Sequence, residues 1–256
     1  MSKKRTLGIE REWFIMRNGN IVAGVGDVLP KLWEIVETRG FNKSQFGYEL
    51  FAGQIEDRTE PVPCTESLID SLKKNEALLK EIGESLGLHF VCKDFVTEEE
   101  LGELVVNPFD QRHKSIWAEI TRERKVAASQ VAAIHIHVSV TPEEAVQILN
   151  YCRRSVIDRL AKMGDFSQGK RLNAYRVMAK VYGDSPVFKD VDHLMKYIKD
   201  SGGERDVWDM VRYKPSTGTV EFRMFGATGD LEKIKSFVCA VQEVIKGACE
   251  RVEELH

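Results

Sequence analysis

Residues 131–140 read Val-Ala-Ala-Ile-His-Ile-His-Val-Ser-Val, and this stretch decides the predicted fold class. Apolar and polar residues alternate along it, which is the pattern of a β-strand with one buried and one open face. The two histidines, His135 and His137, would share the open face of that strand. Thr141-Pro142-Glu143-Glu144 follows at once, and it predicts a helix that begins with a capping box and a proline in its first turn.

Three further segments, residues 6–16, 46–60 and 218–225, are predicted as extended, and each places polar residues on one face. Asn18-Gly19 follows the first of them and predicts a tight hairpin. The polar faces would carry Glu10 and Glu12 from the first segment, Gln54 and Glu56 from the second, and Thr219, Glu221 and Arg223 from the third. Glu49 lies upstream of Gln54 in the second segment.

Helical patterns separate these strands. Apolar residues recur at helical spacing over residues 66–86, and Gly87 would end that helix. Single helices are also predicted over 28–39, 110–128 and from Pro142 to about Met163, with a short one at 190–199 and a final one that Asp230 caps. Interspersed helices and alternating strands favour an α+β fold with a largely antiparallel sheet and helices on one face.

The composition narrows the class of protein. Lys+Arg is 37 and Asp+Glu is 40, so the net charge of −3 argues against a broad nucleic-acid surface. No stretch of about 18 apolar residues predicts a membrane span. The five cysteines lack CxxC spacing, which favours a reducing, cytoplasmic setting, and Cys152 and Cys239 are expected in the core. No linker divides the chain, so residues 1–256 are predicted to form one domain.

The carboxylate-rich face predicts a metal site. Like charges facing each other across a sheet destabilise it, so these glutamates need cations. Carboxylate oxygens suit Mg²⁺ or Mn²⁺, and an arginine such as Arg223 suits a phosphate or a carboxylate. A metal–nucleotide site is one interpretation of this pattern. A solvated sheet face, or a zinc hydrolase that uses His135 and His137, stays open. No P-loop sequence is present.

Five short motifs follow one another along the chain: Gly8-Ile9-Glu10-Arg11-Glu12, Glu49 with Gln54-Ile55-Glu56, Ile134-His135-Ile136-His137-Val138, Phe166-Ser167-Gln168-Gly169 with Tyr175-Arg176, and Trp208-Asp209 with Arg212 and Gly218-Thr219-Val220-Glu221-Phe222-Arg223. In these motifs and in their order the chain resembles glutamate–cysteine ligase family 2, whose members include ATP-dependent carboxylate–amine ligases. It implies a glutamine-synthetase-like catalytic fold. Such a fold has a curved antiparallel sheet with helices on its convex face and Mg²⁺-ATP on its concave face.

The resemblance also implies the reaction and the roles of the residues. A substrate carboxylate would be phosphorylated by ATP, and an amine would then displace phosphate to form an amide, with glutamate and cysteine as default substrates. Mg²⁺, or Mn²⁺ in its place, would be held by Glu10, Glu12, Glu49, Glu56, Glu221 and His135. Arg223 would hold the transferring phosphoryl group, Arg176 and Arg212 would hold substrate carboxylate or phosphate, and His137 would line the nucleotide pocket. Members often form homo-oligomers, which this sequence does not decide.

Several departures and alternatives accompany the resemblance. Glu60 lies close enough in sequence to replace Glu56 as a ligand. The family tends to carry an aspartate where Phe225-Gly226-Ala227-Thr228 stands here, which leaves the substrate open. A related amidoligase acting on another carboxylate, a metal-dependent hydrolase and a nucleotide-binding protein without turnover are the alternative functions.

Overall fold

An antiparallel sheet forms the centre of the protein in a computed structural model that describes residues 5–180 and 185–253. Its strands are β1 (Leu7–Arg17), β2 (Asn20–Ile21), β3 (Phe46–Tyr48), β4 (Gln54–Arg58), β5 (His89–Val91), β6 (Ala133–Ser139), β7 (Val211–Lys214) and β8 (Thr219–Gly226). The spatial order is β3-β4-β1-β6-β8-β7, and β2 and β5 also pair with β1. The four predicted strand regions are therefore neighbours in one sheet.

Helices pack against the apolar face of this sheet, and residues of α3, α4 and α7 line a cavity over its polar face. The helices are α1 (Val25–Thr38), α2 (Thr65–Leu86), α3 (Gln111–Glu119), α4 (Arg122–Gln130), α5 (Pro142–Tyr151), α6 (Arg154–Met163), α7 (Lys170–Ala179), α8 (Val191–Asp200) and α9 (Leu231–Glu253). One core joins Ile136 of β6 and Phe222 of β8 to Leu72 of α2, Ile148 of α5 and Val241 of α9. The predicted α+β class with a largely antiparallel sheet is confirmed. No helix in these two described ranges is long and apolar enough to cross a membrane.

The local signals in the sequence agree with the structure where they are strongest. Asn18 and Gly19 form the turn that connects β1 to β2, and their φ angles are positive, at 51° and 81°. Thr141 and Glu144 form the predicted capping box of α5. Gly87 ends α2 at a φ of 62°, which is a left-handed conformation that glycine adopts without strain.

Two predicted helices are each divided in two. The helix predicted over 110–128 breaks at Thr121, whose side chain accepts a hydrogen bond from Arg124 N and caps α4. The helix predicted up to Met163 breaks because Arg153 is extended, at φ −81° and ψ 173°. Neither break contains glycine or proline. Both depend on packing or capping that the apolar periodicity does not record.

The structure differs from the sequence-based predictions at one helix, one strand and one cysteine. The sequence patterns predicted neither the helix α7 nor the strand β7. The apolar periodicity of α7 is weak, and β7 has only four residues. Cys152 is buried as expected, but Cys239 is exposed on α9, so its expected place in the core was wrong.

Candidate active site

A cavity of about 570 Å³ lies over the polar face of the sheet. Its lining includes Glu10, Glu49, Glu56, Arg58, His135, Arg212 and Arg223 from the sheet region, and Trp33, Tyr48, Arg112, His113, Arg205, Trp208 and Lys214 around them. A deeper cavity of about 120 Å³ shares Glu49, His135 and Arg223 with it. A third, of about 190 Å³, shares Glu10 and Arg58. Cavities of a few hundred Å³ with a few convergent polar groups are typical of small-molecule sites.

The strand register brings the polar residues together. Glu10 of β1 lies opposite Arg58 of β4 on one side and His135 of β6 on the other. His137 in turn lies opposite Glu221 of β8. Side chains opposite each other in an antiparallel pair are close enough to interact, so residues far apart in sequence share one face.

A β-bulge adjusts the position of Arg223. Ile134 pairs with Phe225, but Ile136 pairs with Phe222, so Arg223 and Met224 together face the single residue His135. Met224 stays in the core, while Arg223 lines the cavity. Bulges re-aim side chains next to active sites in many proteins, and this one was not predicted from the sequence.

Three residues bring their ligand atoms close enough together to hold one metal ion. Ligand atoms of Glu10, His135 and Glu221 all lie within 4.8 Å of one another. His135 Nδ1 lies 3.2 Å from Glu10 Oε2 and 3.6 Å from Glu221 Oε1. Two carboxylates and one imidazole are a donor set that suits Mg²⁺ less well than Mn²⁺, although both accept carboxylate oxygens.

Three arginines pair with the carboxylates of this face. Arg212 Nε donates to Glu221 Oε2 at 2.6 Å, and Arg223 Nη1 donates to Glu221 Oε1. Arg58 Nη2 donates to Glu56 Oε1. Guanidinium groups are phosphate ligands and carboxylates are metal ligands. A metal-bound phosphate would therefore give both members of each pair a new partner.

The electrostatics of the site favour charge on some carboxylates. Burial opposes ionisation of Glu221, yet Arg223, His137 and Arg212 hold the pKa of Glu221 well below its ordinary value. Burial likewise opposes ionisation of Glu10, but His137 and His135 hold the pKa of Glu10 well below its usual range. Burial and Arg223 lower the pKa of His135 to about 4. His135 is thus a neutral imidazole at pH 7, the form that binds metals.

Other carboxylates of the face lack enough positive charge. Burial raises the pKa of Glu12 well above its ordinary value, and the nearby Glu49 adds to this effect. Burial and Glu10 raise the pKa of Glu49 to about 7. A divalent cation near these groups would reverse both shifts, because it stabilises the ionised carboxylates.

Unsatisfied polar atoms also fit a bound ligand. Arg223 Nε, Arg58 Nε and His137 Nε2 are buried without a hydrogen-bond partner among the described residues. Buried polar atoms normally have partners, so three such atoms on one face of the sheet need an explanation. The donor set, the raised pKa values and these atoms together fit residues that hold a divalent cation and an anionic ligand.

The predicted site residues do not all lie in the same place. Seven of them, Glu10, Glu12, Glu49, Glu56, His135, Arg212 and Arg223, line the central cavity or the deeper one. Glu221 is fully buried next to them, where it pairs with Arg212 and Arg223. His137 lies 3.5 Å from Glu10 but lines the third cavity. Glu60 is exposed beyond the end of β4.

Arg176 is placed differently from the expectation. It is exposed on α7, where its Nη1 donates to Asn173 Oδ1 at 3.4 Å. On the same helix it is Arg171 and Tyr175 that line the deeper cavity. The predicted contact of Arg176 with substrate stays a prediction.

Sequence reasoning also missed residues on the cavity wall. Arg58 was not singled out, although Arg58 follows Glu56 by two residues and the period of a strand places both on one face. Arg112, Arg205 and Lys214 add positive charge to the rim. They lie on α3, on a short 3₁₀ helix (Glu204–Asp206) and on β7, so only the folded chain shows that they converge.

The sheet and its helices form a glutamine-synthetase-like fold. The chain is similar to the crystal structure of a bifunctional glutathione synthetase from Pasteurella multocida, with a TM-score of 0.53 and 14% identity over 98% of this chain and 40% of that chain. It is also similar to the crystal structure of a novel glutamine synthase homolog, with a TM-score of 0.50 and 10% identity over 95% of this chain and 55% of that one. These identities show the fold alone. The chain spans only about two fifths to just over half of these proteins.

The chain belongs to glutamate–cysteine ligase family 2, whose sequence profile matches residues 6–157. That span contains β1, β4 and β6, and therefore Glu10, Glu12, Glu56 and His135. It ends before β8, which carries Glu221 and Arg223. A comparison with curated proteins gives no match.

Proposed function

We propose that this chain is an ATP- and Mg²⁺-dependent carboxylate–amine ligase that acts as one catalytic domain. Glutamate and cysteine are its proposed substrates. The observation that carries this proposal is that Glu10, His135, Arg212 and Arg223 line one cavity. Glu221 is buried beside them, close to His135 and paired with both arginines. Family membership supports the carboxylate–amine ligase class, and the cavity of about 570 Å³ has a volume in the range usual for ligands of this size.

The proposed reaction has two steps. An oxygen of the substrate carboxylate attacks the γ-phosphorus of ATP, the bond to the bridging oxygen breaks, and ADP leaves. The nitrogen of the amine then attacks the carbonyl carbon of the acyl phosphate, phosphate leaves with the bonding electrons, and the amine loses a proton. Phosphoryl transfer of this kind needs positioning and charge neutralisation more than a protein nucleophile.

The residues supply those needs in the proposal. Glu10, His135 and Glu221, with Glu12, Glu49 and Glu56 around them, would hold Mg²⁺ or Mn²⁺, which neutralises phosphate charge when bound. Arg223 would hold the transferring phosphoryl group through its unpartnered Nε and its Nη atoms. Arg212 and Arg58 would bind further anionic oxygens, and the rim residues Arg205 and Lys214 would attract the anionic substrates.

The geometry gives the hydrolase alternative less support. A zinc hydrolase would use His135 and His137 as joint ligands. Among the described residues, the group of metal-binding size contains His135 without His137, and His137 Nδ1 lies 3.4 Å from Thr219 Oγ1. No other observation on this face favours hydrolysis.

The test is ADP release from Mg²⁺-ATP in the presence of glutamate and each of the twenty amino acids in turn. ADP release that requires both glutamate and one amine, with a mass-detected amide product, is expected. Replacing glutamate with other carboxylates distinguishes a related amidoligase. Tight binding of zinc together with no affinity for ATP would exclude the ligase and support the hydrolase.

A matched pair of variants ties the activity to this cavity. Glu221→Gln removes a buried carboxylate of the proposed metal group, and Glu66→Gln makes the same change on the exposed face of α2. ADP release should disappear in the first variant and persist in the second. Equal activities would show that the observed turnover arises elsewhere.

A further inference from the structure

A buried guanidinium lies beneath the bulge of β8, and within the described part of the chain its hydrogen-bond partners are backbone carbonyls and not carboxylates. Arg171, near the start of α7, is 2% exposed. Its Nε donates to Ala132 O at 3.1 Å, its Nη1 to Met224 O at 3.0 Å and its Nη2 to Arg223 O at 3.0 Å. All three nitrogens of one side chain are therefore bonded to backbone carbonyls. Buried arginines are rare unless their charge and donors are satisfied.

The three carbonyls flank two charged groups of the candidate site. Two of them belong to Arg223 and Met224, the pair of residues that forms the bulge. The third belongs to Ala132, and the next residue, Ala133, donates its N–H to Glu12 Oε2 at 2.7 Å. One side chain thus joins the backbone that carries Arg223 to the backbone that binds Glu12.

Arg171 is itself held in place by the turn that precedes α7. Its backbone N donates to Ser167 Oγ at 3.1 Å. The same turn is bound to the end of β8, because Gly226 N donates to Gly164 O at 2.9 Å. A Cβ on Gly164 would lie 2.8 Å from the Cα of Phe225, so glycine permits this close approach. Ser167, from the Phe166-Ser167-Gln168-Gly169 motif, therefore helps to hold the start of α7 that carries Arg171.

We infer that Arg171 is a positioning residue, which fixes the β8 bulge and the start of β6 so that Arg223 and Glu12 face the cavity in one geometry. It acts through the backbone, since its Nε and both Nη atoms bind carbonyls. Its structural effect is independent of the reaction. Its kinetic effect depends on the proposed ligase function.

Three variants test the inference. Arg171→Met removes all of the donors, and Arg171→Lys keeps a positive charge that cannot reach three carbonyls in a fork. Lys170→Met is the matched control, because Lys170 is the exposed neighbour of Arg171 on the same helix turn. Arg171→Lys also serves if Arg171→Met fails to fold.

Hydrogen exchange followed by mass spectrometry is the first measurement. Peptides that cover residues 131–135 and 221–227 should exchange faster in both Arg171 variants, while peptides from α2 keep the wild-type rate. Lys170→Met should match wild type throughout. Wild-type exchange in both segments of the Arg171 variants, or a uniform increase over the whole chain, would overturn the inference.

Kinetics give the second measurement. The kcat for ADP release should fall by about 10²-fold in Arg171→Lys, because a small misplacement of a catalytic group costs that much. The KM for ATP should change far less. An unchanged kcat in folded Arg171→Lys, with an active wild type, would contradict the positioning role. If wild type releases no ADP with any substrate, the proposed function fails, and the exchange measurement alone decides the role of Arg171.

Discussion

The two faces of the β1–β4 strand pair differ in how their charged side chains are paired. On the helix-covered face, Arg11 lies opposite Asp57, both are 0% exposed, and Arg11 Nε donates to Asp57 Oδ1 at 2.9 Å. On the cavity face, Glu12 lies opposite Glu56 in the next residue pair of the two antiparallel strands. The first face pairs opposite charges, and the second places two carboxylates side by side.

The satisfied face holds the strands in register. Asp57 also accepts hydrogen bonds from Trp13 Nε1 at 2.6 Å and from Asn75 Nδ2 at 3.1 Å. Arg11 also donates to Leu72 O at 3.2 Å, which ties β1 to α2. A shift of one residue in the pairing register of β1 would break this network and would point the side chains of Glu10 and Glu12 towards the core.

The unsatisfied face is the place where a ligand would bind. Its carboxylates include Glu12 and Glu49, whose pKa values are raised. Its buried atoms without hydrogen-bond partners include Arg223 Nε. Pairing is complete on the helix-covered face and incomplete on the cavity face, which is the face that we propose binds the ligands.

The largest expected effect comes from breaking the structural pair. Arg11→Met leaves Asp57 buried without its cation, so the free energy of unfolding should fall by about 3–5 kcal/mol in urea denaturation. Arg39→Met is the matched control, since Arg39 and Glu81 form a pair in which both side chains are about half exposed. Arg39→Met should leave the midpoint unchanged. Similar shifts in both variants would remove the distinction between the buried pair and a surface pair.

The next largest effect comes from the cavity face. Glu221→Gln removes a carboxylate that faces Arg212, Arg223 and His135, so kcat for ADP release should fall by about 10²–10³-fold or more. Urea denaturation of the variant should still show a cooperative transition. Turnover at the wild-type rate in folded protein would remove Glu221 from the metal group.

The smallest expected effect concerns pH. Glu49 has a pKa of about 7, so a cation must displace its proton at pH 6 but not at pH 8. Affinity for Mn²⁺ should therefore rise between these values, by up to about tenfold per unit for one displaced proton. Calorimetry in two buffers of different ionisation enthalpy would measure the proton release.

Without a bound metal ion, the contribution of Glu49 to folding stability should decrease as the pH rises, whereas the affinity for Mn²⁺ increases. The pKa of Glu49 is raised from 4.5 in the unfolded chain to about 7. Its contribution to stability is then fully present below pH 4.5 and is lost as the pH rises through 7. Glu49→Gln should reduce both pH dependences. Affinity for Mn²⁺ that is the same at pH 6 and pH 8 in wild type would show that Glu49 is not close to the bound cation.

Much of the candidate site could be predicted from the sequence, because a strand fixes its own faces. The period of two assigns Glu10, Glu12, His135 and Glu221 to the polar side without knowledge of their neighbours. Arg171 could not be found in this way. Its partners are backbone carbonyls of two other strands, and its helix has little apolar periodicity. The resemblance assigned a substrate contact to Arg176, which is exposed in the structure, and that contact stays a prediction.

The sequence by itself determined the α+β class, the alternation of β1, β6 and β8, and the caps of α2 and α5, because each of these depends on residues a few positions apart. The tertiary structure alone decided the order of the strands, the bulge that aims Arg223, the Arg11–Asp57 pair and the place of Arg171. These features depend on contacts between segments that are distant in the chain. A local sequence pattern does not determine which strands become neighbours in the sheet. The geometry of the cavity depends on that strand order.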